Sequence, residues 1–293
     1  MKGRYLFILI AALLLHSCGT GRSHDDKEVI SVSIGPLKYF AAAITGEEYE
    51  INIMVPPSAD PHHYEPTMEQ LQGLRRSVAY IGNGHLDFEL SWLYRFYQVN
   101  PEMKIITFAN NQDLIFANAW QHDDHWHYEG VDPHFWISPK AAYRMASDTR
   151  DLFVAMKPEA ADRYEENYRK LVSEITALDR ELMDTMAPYA GRHFMIYHPV
   201  LGYLARDYGL VQVPVEFEGK EPSPASLMET ITRAKELNIK VIFVQQEFDT
   251  KNATAIASET GAQVVTINPL SENWPAAVRE ISAALTGSFQ ENR

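Results

Sequence analysis

Between Pro158 and Met186 the chain runs without a glycine or a further proline, and Tyr164, Tyr168, Leu171, Ile175, Leu178 and Leu182 recur along it at alternating steps of four and three. That spacing lines one face of an α-helix. Pro158 suits a first helical position, while Pro188 and Gly191 end the run. About thirty residues at 1.5 Å rise give a helix of roughly 45 Å. A single helix of that length reads as a stiff connector between two folded units, unlike a loop or strand crossover that lets domains hinge. The alternative is a long helix packed within one domain.

The flanking sequence favours the connector. Short β-branched runs alternate with helical patterns on both sides, which is the mark of parallel α/β architecture. Before the long segment, strands are expected near Val29–Ile34, Glu50–Val55, Val78–Ile81 and Lys104–Thr107. After it, strands are expected near His193–Tyr197, Val211–Val215, Val241–Val244 and Gln263–Ile267. Helices are expected over Pro199–Tyr208, Pro224–Leu237, Lys251–Thr260 and Trp274–Leu285. The length of 293 residues suits one or two domains. The expected division is two similar α/β units, 29–156 and 189–293, with 157–188 between them.

The first residues are of another kind. Lys2 and Arg4 precede an apolar run from Tyr5 to Leu15, too short for a spanning helix, and residues 1–17 read as a secretory signal peptide. It ends in Leu15-His16-Ser17-Cys18-Gly19, which resembles a bacterial lipobox, so Cys18 is expected to carry a lipid anchor. Cys18 is the only cysteine, which excludes an intramolecular disulfide and a thiolate metal site. Residues 18–28 are small, polar and charged, a tether in composition. The formal charge of −13 becomes more negative once Lys2 and Arg4 are removed, which argues against nucleic acid or anionic lipid as partners. It suits a receptor for cations.

Two copies of Asp-Pro-His carry the chemistry: Asp60-Pro61-His62 and Asp132-Pro133-His134. Proline restricts the residue before it and fixes its own φ, so the imidazole that follows is held in a defined direction. The aspartate is placed to orient that imidazole, as carboxylates behind metal-bound histidines do. A third histidine, His198, follows a strand in Ile196-Tyr197-His198-Pro199. Each stands before a helical pattern, and the carboxyl ends of strands are where open parallel sheets bind ligands. Convergence of His62, His134 and His198 on a cleft between the two units is the expectation. His24, His85 and His193 read as structural or surface residues.

The runs DPHHYEPT, VDPHFWISP and YHPVLGYLARDYGL resemble signature segments of the metal-binding solute receptors of ABC importers, the ZnuA-like family and its manganese-binding relatives. The segments EFEGKEPSPASL and QQEFDTKNATAIASETGA and the lipobox resemble that family too, so the likeness covers essentially the whole mature chain. It implies two lobes, each with a four-stranded, mainly parallel sheet flanked by helices, joined by one long backbone helix. It also implies metal held between the lobes by His62, His134 and His198, delivery to a membrane permease, an extracytoplasmic location and a monomer. His63 falls beside the first ligand position and is left out.

One departure bears on the metal. Where many members read Asp-Pro-Leu near the last strand, this chain has Asn268-Pro269-Leu270, and an amide is a weak donor. The fourth position stays open between water, Glu65 and the Asn268 region. Three imidazoles without a fixed acid favour Zn2+ as the transported ion; copper binds such donors at least as well, and manganese prefers carboxylates. The tract His122-Asp123-Asp124-His125-Trp126-His127 is either an auxiliary metal loop, with His122, His125 and His127 as donors, or a solvated loop. Three histidines and a water also describe a catalytic zinc, but the chain has no His-Glu-x-x-His, no Gly-x-Ser-x-Gly and no phosphate-binding loop. An adhesin, or a receptor for manganese or another divalent metal, completes the alternatives.

Overall fold

The computed structural model describes residues 27–122, 125–216 and 222–290, with only the strand course given inside 117–129. The signal segment, the tether up to residue 26 and Cys18 lie outside the described residues.

Four strands, β1 (Val29–Ile34), β2 (Glu50–Val55), β3 (Ser77–Gly82) and β4 (Lys104–Thr107), form the first sheet in the order β2-β1-β3-β4. Every pairing in it is parallel. The central strand β1 is buried throughout, as a strand covered on both faces must be. Helices α1 (Gly35–Thr45), α2 (Met68–Arg76) and α3 (Asp87–Val99) alternate with these strands. Thr67 and Gln70 close a reciprocal capping box that starts α2.

A pair of strands, β5 (Phe116–His122) and β6 (His125–Val131), then forms an antiparallel ladder with His122 paired to His125. A loop was expected there. Helix α4 (Pro139–Met156) follows, its N-terminus capped by the Ser138 hydroxyl, which accepts from the Lys140 and Ala141 amides. Helix α5 (Ala161–Met186) is the long helix, 26 residues with a 3-10 turn over Pro158–Ala160 before it.

The second sheet holds β7 (His193–Ile196), β8 (Val211–Pro214), β9 (Val241–Gln245) and β10 (Gln263–Ile267) in the order β10-β9-β7-β8, again all parallel. Taken from β8, its first, second, third and fourth strands lie in the same order, 2-1-3-4, as those of the first sheet. The two lobes repeat one design. Helices α6 (Gly202–Tyr208), α7 (Pro224–Glu236), α8 (Lys251–Thr260) and α9 (Trp274–Gln290) complete the second lobe. The expected helix from Pro199 begins at Gly202, because Pro199–Leu201 form the turn that follows His198.

Of the six residues in the apolar stripe of α5, Tyr164, Leu171, Ile175, Leu178 and Leu182 are buried and Tyr168 packs against the core at its edge. Each such leucine or isoleucine contributes about 1.5–3 kcal/mol by leaving water. The helix packs on α1 and α4 of the first lobe and on α6 and α9 of the second. One continuous apolar core runs from Ile30 and Phe40 through α5 to Phe194, Tyr203 and Leu285. A second, smaller core around Met195, Ile231 and Ile256 lies on the far face of the second sheet.

Polar contacts lock the lobes beside the helix. The Trp136 indole donates to Pro269 O at 2.9 Å, the Trp274 indole donates to Trp136 O at 2.6 Å, and Lys38 meets Glu272 at 2.6 Å. Gly35 at the start of α1 lies so close to Leu270 that a Cβ there would come within 2.5 Å of its carbonyl oxygen. No described helix is long and apolar enough to cross a membrane.

Candidate metal site

His62, His134 and His198 come from separate segments of chain and meet where the lobes face each other. Their Nε2 atoms form a nearly equilateral triangle with edges of 3.3 Å (His62–His134), 3.1 Å (His62–His198) and 3.1 Å (His134–His198). Among the described residues this is the one group of three or more His, Cys, Asp or Glu whose donor atoms gather closely enough to hold an ion.

The opposite nitrogen of each ring faces a carboxylate. His62 Nδ1 is 2.8 Å from Asp87 Oδ2 at the start of α3. His134 Nδ1 is 2.7 Å from Asp132 Oδ1. His198 Nδ1 lies 3.4 Å from Glu216 Oε2, within ion-pair range but without a hydrogen bond. A carboxylate on Nδ1 keeps the proton there and leaves the Nε2 lone pair to point away from it. Three such lone pairs aimed at one point repel each other, and a cation placed between them relieves that repulsion. Zn–N bonds of about 2.0–2.1 Å at tetrahedral angles would set the nitrogens about 3.3–3.4 Å apart. The observed triangle fits an ion of that size.

Backbone contacts fix each imidazole in turn. The Asp-Pro-His turns are alike: His62 N donates to Asp60 Oδ1 and His134 N to Asp132 Oδ1, both at 2.9 Å. Asp132 is wedged in place by Tyr203, whose hydroxyl donates to Asp132 O at 2.7 Å, and by Gly202, where a Cβ would lie 2.6 Å from Asp132 Oδ2. Asn83, fully buried, donates to Pro133 O at 2.8 Å. Buried Gln245 spans the backbone of His198, accepting from its N–H and donating to its carbonyl. Phe248 stacks on the His198 ring with centroids 5.1 Å apart.

The environments differ. Burial pushes His134 down to about 4 against the pull of Asp132, and the neighbouring imidazoles push the same way. For His62 burial acts downward too, but the hydrogen bond the ring donates to Asp87 and the charges of Asp60, Asp87 and Glu216 outweigh it and hold the ring above its usual value. The same hydrogen bond holds the Asp87 carboxyl below its ordinary value.

The remaining expected positions fall outside the triangle. Glu65 is exposed and lines neither of the two cavities at the site. Asn268 Oδ1 accepts from Leu270 N at 3.1 Å, which commits it to its own turn. His122, His125 and His127 belong to the β5–β6 pair, and their side chains lie outside the described residues. His85 and His193 are partly buried away from the triangle. The residues sequence reasoning missed are Asp87, Glu216 and Gln245. Each is remote in sequence from the histidine it supports; Glu216 and Gln245 open two of the family-like segments quoted above, but nothing in those segments tied them to a histidine.

The family model described as "Zinc-uptake complex component A periplasmic" (ZnuA) matches residues 30–286. The chain belongs to that family. A high-affinity zinc uptake system protein ZnuA of Bacillus subtilis is 28% identical over 281 residues, covering 90% of this chain and 88% of the relative. A zinc-binding lipoprotein AdcA of Streptococcus pneumoniae is 24% identical over 90% of this chain, which spans only 54% of that protein's length. A crystal structure of ZnuA superimposes with a TM-score of 0.83 at 34% identity, covering 90% of this chain and 99% of the other. The two four-stranded parallel sheets and the long helix between them are the ZnuA-type two-lobed α/β fold.

Proposed function

We propose that this chain is the extracytoplasmic receptor of an ABC importer, capturing Zn2+ between its lobes with His62, His134 and His198 and delivering it to the permease. The observation that carries the reading is the triangle of Nε2 atoms with edges of 3.1–3.3 Å, each ring backed by an acid. Neutral imidazoles suit zinc and copper, whereas manganese prefers carboxylate and water. The relatives named above carry zinc in their names. Cys18 as a lipid anchor, residues 18–28 as its tether and a monomeric state complete the proposal, with 29–156 and 189–293 as the lobes and 157–188 as the connector.

Capture in this reading needs little movement. The shared core and the tryptophan contacts between the lobes oppose a wide hinge. Delivery then requires the permease to pull apart a contact between lobes rather than wait for a flexible joint to open. Chelator-competition titration of the purified mature chain tests the site. One zinc per chain is expected, and His62→Ala, His134→Ala or His198→Ala should each weaken binding by more than the roughly 10–100-fold lost when an outer partner of a ligand is removed. Zinc affinity unchanged by all three substitutions would reject the assignment.

A further inference from the structure

Three nitrogens with edges of 3.1–3.3 Å cannot surround an ion in their own plane. With Zn–N bonds of about 2.0–2.1 Å the ion stands roughly 0.9 Å to one side, facing a fourth donor. The candidate donors are the groups that share the enclosed space with the rings. A cavity of about 10 Å³ lies among His62, His134, His198 and Trp136, and two acids reach its wall, Asp60 and Glu247. That is about the room of one water-sized body.

The two acids are not equivalent. Asp60 Oδ1 already accepts the His62 amide in the Asp-Pro-His turn. Glu247 Oε2 is buried and has no hydrogen-bond partner among the described residues. Buried carboxylates are paired, neutralised or bound to metal, and burial indeed pushes this one up to about 7. The backbone around Glu247 is anchored on both sides. Gln246 N donates to Ile267 O at 3.0 Å and Gln246 Nε2 reaches Pro57 O of the first lobe at 2.8 Å, while Phe248 stacks on His198.

We propose that Glu247 turns its carboxylate onto the ion held by the three histidines and serves as its fourth donor. The proposal rests on the metal-receptor reading above. Glu247 does not join the group of donor atoms that lie within 4.8 Å of one another, so a side-chain rotation brings it in while the anchored backbone stays. The donor comes from the end of β9, not from Asn268 after β10 or from Glu65. Since Glu247 belongs to the second lobe and Gln246 beside it bonds to the first, the fourth bond would close the site where the lobes meet.

Two measurements test this. In the first, Glu247→Gln, Asp60→Asn and Glu65→Gln are compared with the unaltered chain by chelator-competition titration with zinc and by the visible spectrum of the Co2+-loaded protein. The expected result is a roughly 10–100-fold loss of zinc affinity and a shifted Co2+ spectrum for Glu247→Gln only. Metal-free melting verifies that the variant is folded. Wild-type affinity and spectrum in a folded Glu247→Gln would overturn the proposal, as would a spectral shift confined to Asp60→Asn. The second is a crystal structure of the zinc-loaded unaltered chain, which needs no variant. A Glu247 oxygen about 2.0–2.2 Å from zinc supports the assignment, and water or another side chain in that place overturns it. If the unaltered, folded chain binds no zinc at all, the receptor reading itself fails, a result distinct from either of these.

Discussion

The same three residues occur twice, and the two copies do not behave alike. Asp60-Pro61-His62 and Asp132-Pro133-His134 make the same turn, with the histidine amide 2.9 Å from the aspartate in both. In the second copy the same aspartate oxygen also holds the ring, at 2.7 Å. In the first copy the ring is held by Asp87, whose side chain is 59% exposed. His134 is buried and depressed to about 4, whereas His62 is held above its usual range. The tripeptide therefore dictates the turn, but the surrounding packing dictates which acid holds the imidazole and how tightly that imidazole holds a proton. The two copies divide the work: His134 is a rigid, neutral donor, and His62 is the donor at which protons compete.

Short of removing a histidine itself, the largest expected effect comes from removing that difference at its source. Asp132→Ala takes away the acceptor of both the His134 amide and its ring, so zinc affinity should fall by roughly 10–100-fold. Asp87→Ala removes only an exposed partner of His62 and should cost several times less. Competition titration of both variants checks this; equal losses would show that burial does not separate the copies.

The next effect is pH dependence. A ligand must lose its proton to bind metal. A pKa raised above the usual range means that His62 keeps its proton to higher pH, so competition starts there as pH falls. The groups facing it are Asp87 on α3, Asp60 in its own turn, Glu216 and Glu247 from the second lobe and the two other imidazoles. Below the His62 pKa, zinc affinity should drop about tenfold per pH unit, one proton being displaced per ion. His134, near 4, adds nothing until much lower pH. NMR titration of the metal-free chain should find His62 titrating first, and the reverse order would refute the comparison.

Much of this was legible in the sequence, for identifiable reasons. The strands β1, β2, β4 and β10 occupy the very residues their β-branched runs marked: β1 is rich in valine and isoleucine because it is buried on both faces, and the edge strands β2, β4 and β10 keep β-branched residues on a half-buried sheet. The steps of four and three in α5 marked its buried face. Proline after aspartate and before histidine marked the two turns. The acids behind His62 and His198 were not legible. Asp87 lies 25 positions from His62, and Glu216 reaches His198 because the β7–β8 pairing brings the strand ends together. Such pairings depend on the sheet order, and only the folded chain displays it. Gln245 was hidden for the same reason: β9 lies beside β7, which puts a strand-end amide against the His198 backbone.

The β5–β6 strands offer the smallest and last test, because they carry three histidines that sequence alone left undecided between an auxiliary metal loop and a solvated one. Their backbones pair in register, His122 with His125 and Trp120 with His127. A tract that does not share the triangle's ion should act independently of it, and independent sites alter each other by only about 0.3–0.5 kcal/mol. Replacing His122, His125 and His127 together with alanine should therefore change affinity at the principal site by no more than about twofold, while any additional, weaker zinc equivalents disappear. Calorimetric titration past one equivalent separates the two. A loss as large as that of His62→Ala would mean the strand pair supplies a donor to the same ion, and the division of labour between the two Asp-Pro-His copies would have to be redrawn around it.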